Sequence, residues 1–229
     1  MIRPDHLAHL AADVAAIGEA LRDTECDAPV PDCPDWALRD LVLHLGGVHR
    51  WATSTVRTGV EQPQPEQQVD DDRLRSWFLE GAQALQDELA GDPDRPAWTF
   101  TGPGTVQFWR RRQALETAVH RVDADRCAGK ERPIPDDLAE DGIAEVVEVL
   151  HPRQVHLGRT PAPAGSARLV STSGGSWLLG DGPTCATLTG SPSDLLLLLW
   201  RRERRRSRSF TVEGDAAALD ALLAARLTP

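Results

Sequence analysis

Apolar residues recur at intervals of three and four positions through the first half of the chain, which is the period of an amphipathic helix. Asp35 is expected to cap the second of the helices that this pattern predicts, and Gly91–Gly104 is expected to form turns. The predicted helices cover Pro4–Asp23, Trp36–Thr58, Asp70–Ala90 and Thr105–Ala128. Four helices of this length joined by loops predict a helical bundle.

The pattern changes after residue 132. One more helix is predicted over Pro133–Leu150, and a linker rich in proline and glycine is predicted over Pro152–Gly165. Beyond it we expect a helix from Ser191 and another over Asp215–Leu227, with short strands over Ala167–Ser173, Ser176–Leu179, Cys185–Thr189 and Phe210–Val212. The sequence therefore predicts an α+β protein with a four-helix bundle over residues 1–132, then a linker helix and a small α+β domain over residues 133–229.

Charge and composition narrow the classes of function. A net charge of -10 over 229 residues argues against nucleic-acid binding. The first ten residues carry charged and polar side chains where a signal peptide needs an apolar run, and no stretch of the chain is apolar for the length of a membrane span. The four cysteines lack CxxC spacing. We expect a reduced, cytoplasmic protein that acts on neither membranes nor nucleic acids.

Candidate metal-binding chemistry lies on the fourth predicted helix. Glu116 and His120 are one turn apart and share a helix face, so a carboxylate and an imidazole can bind one metal ion. The alternative is a solvated Glu–His pair, which is frequent on exposed helices. Asp123 is one turn beyond His120 and is expected either to bind its other ring nitrogen or to form a surface salt bridge with Arg126.

The second predicted helix offers His44 and His49 as a third ligand. Five residues correspond to about 140° of rotation, so only one of them can face the same site, and geometry alone leaves the choice open. Either could instead be a core histidine. One of them together with Glu116 and His120 would form a three-ligand site with a vacant position that a thiol can occupy, as in catalytic zinc sites.

The residues around these candidates resemble the mycothiol-dependent maleylpyruvate isomerase family. The resemblance is carried by VPDCPDWALRDLVLHL over residues 30–45 and LETAVHRVD over residues 115–123. The tail is similar to the family's small domain in GSPSDLL over residues 190–196 and VEGD over residues 212–215. The family implies a DinB-like metal-binding four-helix bundle followed by a domain of sterol-carrier-protein-like fold.

The resemblance also implies site residues. Carried over position by position, the family's metal ligands are His44, Glu116 and His120. The family has an arginine of the small domain that faces the metal, and the nearest catalytic candidates are Arg201 and Arg202. These two belong to an arginine-rich run over residues 200–208. The alternatives for this run are a solvated basic patch and an RNA-binding patch, of which the acidity of the whole chain disfavours the second.

The implied chemistry is activation of a thiol. A divalent metal, with zinc the best match to two imidazoles and a carboxylate, leaves a position for the thiol of mycothiol and favours the nucleophilic thiolate. The thiolate then attacks an electrophilic small molecule, for which an arginine near the metal suits a carboxylate group. Addition and elimination at a cis double bond give an isomerase, whereas release of the adduct gives an S-transferase.

Two further expectations accompany this interpretation. All but one of the 25 basic residues, Lys130, are arginine, which fits GC-rich coding DNA and an actinobacterial origin, where mycothiol is the expected thiol. The alternative function is a metal-binding bundle without catalysis, which would act as a regulatory or ligand-binding module.

Overall fold

The computed structural model describes residues 4–64, 67–205 and 210–229. Contacts along the chain divide it into two units, Asp5–Arg132 and Pro133–Pro229, and group Pro4 with the second. The first unit is helical and the second mixes helices with a β-sheet. The predicted α+β class, with a helical part before an α+β part, is confirmed.

Four long helices build the first unit, and their bounds follow the predicted ones closely: α1 His6–Asp23, α2 Leu38–Thr58, α3 Asp71–Leu89 and α4 Val106–Cys127. α1 packs on α4 and α3, and α2 packs on α3 and α4. Leu10, Leu41, Phe78 and Leu115 are among the side chains buried between them. The bundle therefore buries the apolar stripes that the sequence pattern indicated.

The expected cap at Asp35 is wrong, because α2 begins two residues later than the pattern predicted. Pro29 and Ala37 form an antiparallel bridge, and the Val30 amide donates to the Trp36 carbonyl at 2.9 Å. This closed loop keeps residues 29–37 out of the helix. Ala37 occupies the cap position, and its amide donates to the Asp40 carboxylate at 2.9 Å.

A β-hairpin replaces the turns expected before α4. Its strands are β1 Pro96–Thr99 and β2 Gly102–Thr105, paired antiparallel. Gly104 is required there, because a Cβ at this position would lie 2.6 Å from the Thr99 side chain. The Trp98 carbonyl accepts a hydrogen bond of 2.7 Å from the buried Trp109 indole, which fixes the hairpin to α4.

The helix that opens the second unit is longer than predicted. α5 Asp136–Glu145 continues through a π-helical turn, Val146–Leu150, into α6 His151–His156. The predicted linker start at Pro152 is therefore wrong. In the π turn the His151 amide donates to Val146, five residues back. Proline has no amide hydrogen, and it is tolerated where the hydrogen-bond register changes.

A four-stranded sheet forms the rest of the second unit. Its strands are β3 Ser166–Ser171, β4 Ser176–Gly180, β5 Thr184–Gly190 and β6 Thr211–Gly214, in the order β4-β3-β5-β6. β3 and β5 are parallel, and the other neighbours are antiparallel. α7 Pro192–Leu199 and α8 Ala216–Ala224 pack on β3 and β5. The final helix ends three residues before the predicted Leu227.

Two points concern the chain at large. Within the described ranges, no helix combines the length and the apolar character needed to span a membrane. The arginine-rich run over residues 200–208 is described only as far as Arg205, so Arg206 and Arg208 lie outside the described residues.

Candidate metal centre

Two helices of the bundle bring three candidate ligands together. His44 lies on α2, and Glu116 and His120 lie one turn apart on α4, which packs against α2. One potential ligand atom from each side chain lies within 4.8 Å of the others. Glu116 Oε1 is 3.8 Å from His44 Nε2 and 3.5 Å from His120 Nε2. Both imidazoles therefore point the same nitrogen at the same carboxylate oxygen.

The three side chains differ in their access to solvent. His120 is 5% exposed and Glu116 is 14% exposed, whereas His44 is 36% exposed. A small molecule can therefore approach the group most readily from the side of His44, while the α4 residues form its buried floor.

His49 lies outside this group. Its side chain is fully buried, with Nε2 3.0 Å from Thr117 Oγ1 and its ring 5.6 Å from the Phe78 ring. Burial lowers the pKa of His49 to about 3, so the ring is neutral at physiological pH. His49 is thus a core histidine, the second of the two roles that the helical spacing left open.

Asp123 supports His120 from behind. Its carboxylate Oδ2 lies 3.0 Å from His120 Nδ1, and the side chain is fully buried. A carboxylate accepts, so Nδ1 carries a hydrogen, and Nε2 is the nitrogen that faces Glu116 and is left to bind a metal. Arg126, the alternative partner considered for Asp123, pairs with Asp32.

Arg112 is a site residue that the sequence analysis missed. Its guanidinium forms an ion pair with Glu116 Oε2, and the side chain is only 6% exposed. The signal was present in the sequence, since Arg112 precedes Glu116 by four residues and so shares its helix face.

Trp36 was likewise missed as part of the site. Its ring lies 5.1 Å from the His44 ring and 6.4 Å, nearly parallel, from the His120 ring. The loop that carries it is fastened to α4 by the Asp32–Arg126 pair. Nothing in the helical periodicity indicates this contact, because Trp36 precedes α2 in the closed loop.

The charges of the group are set by these neighbours. Burial alone would raise the pKa of Glu116, but the charge of Arg112 and the bonds to both histidines hold that pKa well below its usual value. Burial lowers the pKa of His120, but the bonds to Asp123 and Glu116 outweigh it and raise the pKa to about 8. Glu116 is therefore a carboxylate at neutral pH.

This donor set fits a divalent metal ion. Two imidazole nitrogens and one carboxylate oxygen are the protein ligands of many catalytic zinc sites. Asp123 supplies the carboxylate that commonly orients a metal-binding histidine. The fit is supported by the position of the ligand atoms, because the Nε2 atoms of both histidines converge on Glu116 Oε1.

Arg201 and Arg202 lie in the second unit, just after α7. Arg201 has a backbone φ of 60°, and its guanidinium donates to the carbonyls of Ala224 and Ala225 at 2.8 and 3.0 Å. Arg202 donates to the Trp200 carbonyl at 2.9 Å. Both guanidinium groups thus have carbonyl partners within their own unit, and a role towards substrate stays a prediction.

Comparison with known proteins finds two matching family models and two similar crystal structures. The model of the mycothiol maleylpyruvate isomerase N-terminal domain matches residues 7–125, and that of the MDMPI C-terminal domain matches residues 137–221. The crystal structure of the mycothiol-dependent maleylpyruvate isomerase is similar at a TM-score of 0.71 and 14% identity, over 94% of this chain and 98% of that chain. A crystal structure of a histidine-to-alanine mutant of such an isomerase is similar at a TM-score of 0.68 and 13% identity, over 86% of this chain and 91% of that chain. No curated protein matches the sequence.

Proposed function

The chain belongs to the mycothiol maleylpyruvate isomerase family, and we propose that it is a mycothiol-dependent enzyme with a divalent metal bound by His44, Glu116 and His120. The observation that carries the proposal is the convergence of three ligand atoms within 4.8 Å on two packed helices. Zinc is the metal that this donor set suits best.

Each residue of the proposed metal site has a separate role. His44 and His120 supply neutral nitrogens, and Glu116 supplies one negative charge, so part of the ion's positive charge remains for a fourth ligand. When bound, the metal favours the thiolate form of a thiol and offers a coordination position for its sulfur. Asp123 keeps the ring of His120 in the required tautomer.

We propose an electrophilic small molecule as the substrate, and a cis–trans isomerisation as the reaction. The substrate and the reaction are both proposed on the basis of family membership. A carboxylate on the substrate would suit Arg201 or Arg202, which we keep as the candidates for that contact.

None of the four cysteines, all within the described residues, forms a disulfide. Low-molecular-weight thiols stay reduced in the cytoplasm, where we place the reaction.

The ligand assignment is tested by metal analysis of single variants. His44→Ala and Glu116→Ala should each lose the bound metal that the purified wild-type chain retains after dialysis. His49→Ala is the matched control, because it removes a histidine from the same helix that lies outside the group. Stoichiometric metal in both His44→Ala and Glu116→Ala would contradict the assignment.

The use of mycothiol is tested by calorimetry on the metal-loaded chain. We expect binding that requires the metal and releases a proton, because the thiol is bound as thiolate. Metal-dependent binding followed by product analysis distinguishes isomerisation, which regenerates the thiol, from S-transfer, which consumes it. Absence of thiol binding to metal-loaded chain would instead favour a non-catalytic metal-binding module.

A further inference from the structure

The two carboxylate oxygens of Glu116 have different surroundings. Oε1 faces the imidazoles, at 3.8 Å from His44 Nε2 and 3.5 Å from His120 Nε2. Oε2 is paired with the guanidinium of Arg112. Both side chains of this pair project from α4 and are largely buried, at 6% and 14% exposed. The carboxylate is thus held with one edge towards the histidines and the other towards Arg112.

Arg112 is an unfavourable neighbour for a metal ion on electrostatic grounds alone. A guanidinium is always charged, and a positive charge beside the ligand set opposes the approach of a divalent cation. Arg112 favours the ionised form of Glu116, but a bound cation favours that form as well, without the opposing charge of a guanidinium. The position of Arg112 therefore indicates a role in the geometry of Glu116 rather than in the affinity for the metal.

We propose that Arg112 is a positioning residue that restricts Glu116 to binding the metal through Oε1 alone. The inference rests on the metal site of the proposed function. A carboxylate binds a metal through one oxygen or through both, and an oxygen engaged by a buried guanidinium is occupied by a strong charge-assisted bond. With two imidazoles, a one-oxygen glutamate gives three protein ligands and leaves the fourth position open. Binding through both oxygens would fill that position.

The consequence is that Arg112 keeps the coordination position for the sulfur available. Its replacement releases Oε2, which then competes with an incoming thiol while adding a bond to the metal. Loss of Arg112 should therefore weaken thiol binding without weakening metal binding. A merely structural role predicts a parallel loss instead, since damage to the site lowers the thiol affinity and the metal affinity together.

The test uses the full chain loaded with Co²⁺, whose absorption reports a bound sulfur. We would titrate 2-mercaptoethanol, a small thiol that needs no recognition of the rest of mycothiol, and measure metal affinity separately by competition with a chelator. For Arg112→Met we expect thiol affinity to fall at least tenfold, with metal affinity equal to or above that of wild type. Arg112→Lys keeps a positive charge one turn before Glu116, and should lose less thiol affinity than Arg112→Met.

Arg110→Met is the matched control. Arg110 lies on the same helix but donates to the carbonyls of Leu89 and Gly91, so both affinities should stay at the wild-type values. Wild-type thiol affinity in Arg112→Met, or a parallel loss of metal and thiol affinity, would overturn the proposal.

A measurement on the unmodified chain keeps the proposal testable if Arg112→Met fails to fold. X-ray absorption of the zinc-loaded wild-type chain should show the carboxylate bound through one oxygen, and two-oxygen binding would overturn the inference. Glu116→Gln separates this failure from that of the proposed function. Unchanged metal binding in Glu116→Gln would contradict the metal site itself, whereas its loss leaves the site standing and the role of Arg112 to be decided by the thiol titration.

Discussion

Among single residues, the buried Asp123 carboxylate orients the imidazole ring of His120. It holds Nδ1 at 3.0 Å, so the other ring nitrogen faces Glu116. The sequence offered this contact as one of two alternatives, because residues three apart share a face. The choice between His44 and His49 could not be made in this way, since helical spacing fixes the direction of a side chain but not what lies opposite it.

Metal affinity should depend on pH through His120. A histidine must be neutral to bind a metal, and the bonds to Asp123 and Glu116 raise the pKa of His120 to about 8. The proton therefore competes with the metal below pH 8, and affinity should rise as pH increases through that value. Below it, we expect roughly a tenfold loss of affinity per pH unit from this group, measured by chelator competition between pH 6 and 9. An affinity that stays constant from pH 6 to 8 would show that no proton on His120 competes with the metal.

Asp123→Asn should have two effects that separate orientation from charge. Loss of the carboxylate should reduce metal affinity by roughly 10- to 100-fold even at pH 9, as for other groups that orient metal-binding histidines. It should also shift the pH dependence to lower pH, because a bond that raises the pKa of His120 is removed. The same titration measures both. An unchanged midpoint would show that Asp123 does not set the pKa of His120.

A cluster of buried charged side chains joins the helices α1 and α4. Arg121 on α4 donates to Asp13 on α1 at 3.0 Å and to Asp125 at 2.9 Å, and all three side chains are buried. A further bond runs from its guanidinium to the Arg132 carbonyl at 2.6 Å. One cation thus joins two helices and the end of the first unit.

Arg121→Met should therefore destabilise the chain strongly. Removing one partner of a buried ion pair leaves the other charge uncompensated, which costs about 3–5 kcal/mol. Urea denaturation gives the free energy of unfolding. Arg110→Met, on the same helix, removes an arginine whose partners are carbonyls rather than carboxylates and should lose less stability. Adding Asp13→Leu should recover part of the loss, since one unpaired buried carboxylate is removed. A loss below about 1 kcal/mol for Arg121→Met would contradict the role given to this cluster.

The elements that the sequence predicted well are those with a repeating apolar pattern. The four bundle helices and the strands β3, β4 and β5 of the second unit show such periods over enough residues to be identified. The β1–β2 hairpin was missed because its four-residue strands consist largely of proline, glycine and threonine. The continuation into α6 was missed because Pro152 normally ends a helix, and no sequence rule anticipates a π turn that accommodates it.

In the molecule as a whole, the first of the two units ends at Arg132. Its carbonyl accepts from Arg121, and its guanidinium Nε donates to Asp125 at 3.0 Å. Contacts along the chain place a boundary after this residue, and we propose that residues 1–132 and 133–229 are separate domains.

A truncated chain tests this proposal. Residues 1–132 should fold cooperatively and bind one equivalent of metal, because all three proposed ligands and Asp123 lie within them. A chain ending at Ala128 lacks the contacts of Arg132 and should unfold at lower urea concentration. Thermal and urea unfolding followed by circular dichroism measure both. If residues 1–132 fail to fold, the first unit is not an independent domain.

A crystal structure of the zinc-loaded chain with mycothiol is the most direct test that His44, Glu116 and His120 bind a metal that binds a thiol. We expect anomalous density about 2.0–2.1 Å from both Nε2 atoms, with Glu116 Oε1 and the thiol sulfur, at about 2.3 Å, completing the tetrahedron. Metal bound elsewhere, or a thiol whose sulfur lies away from the metal, would contradict it.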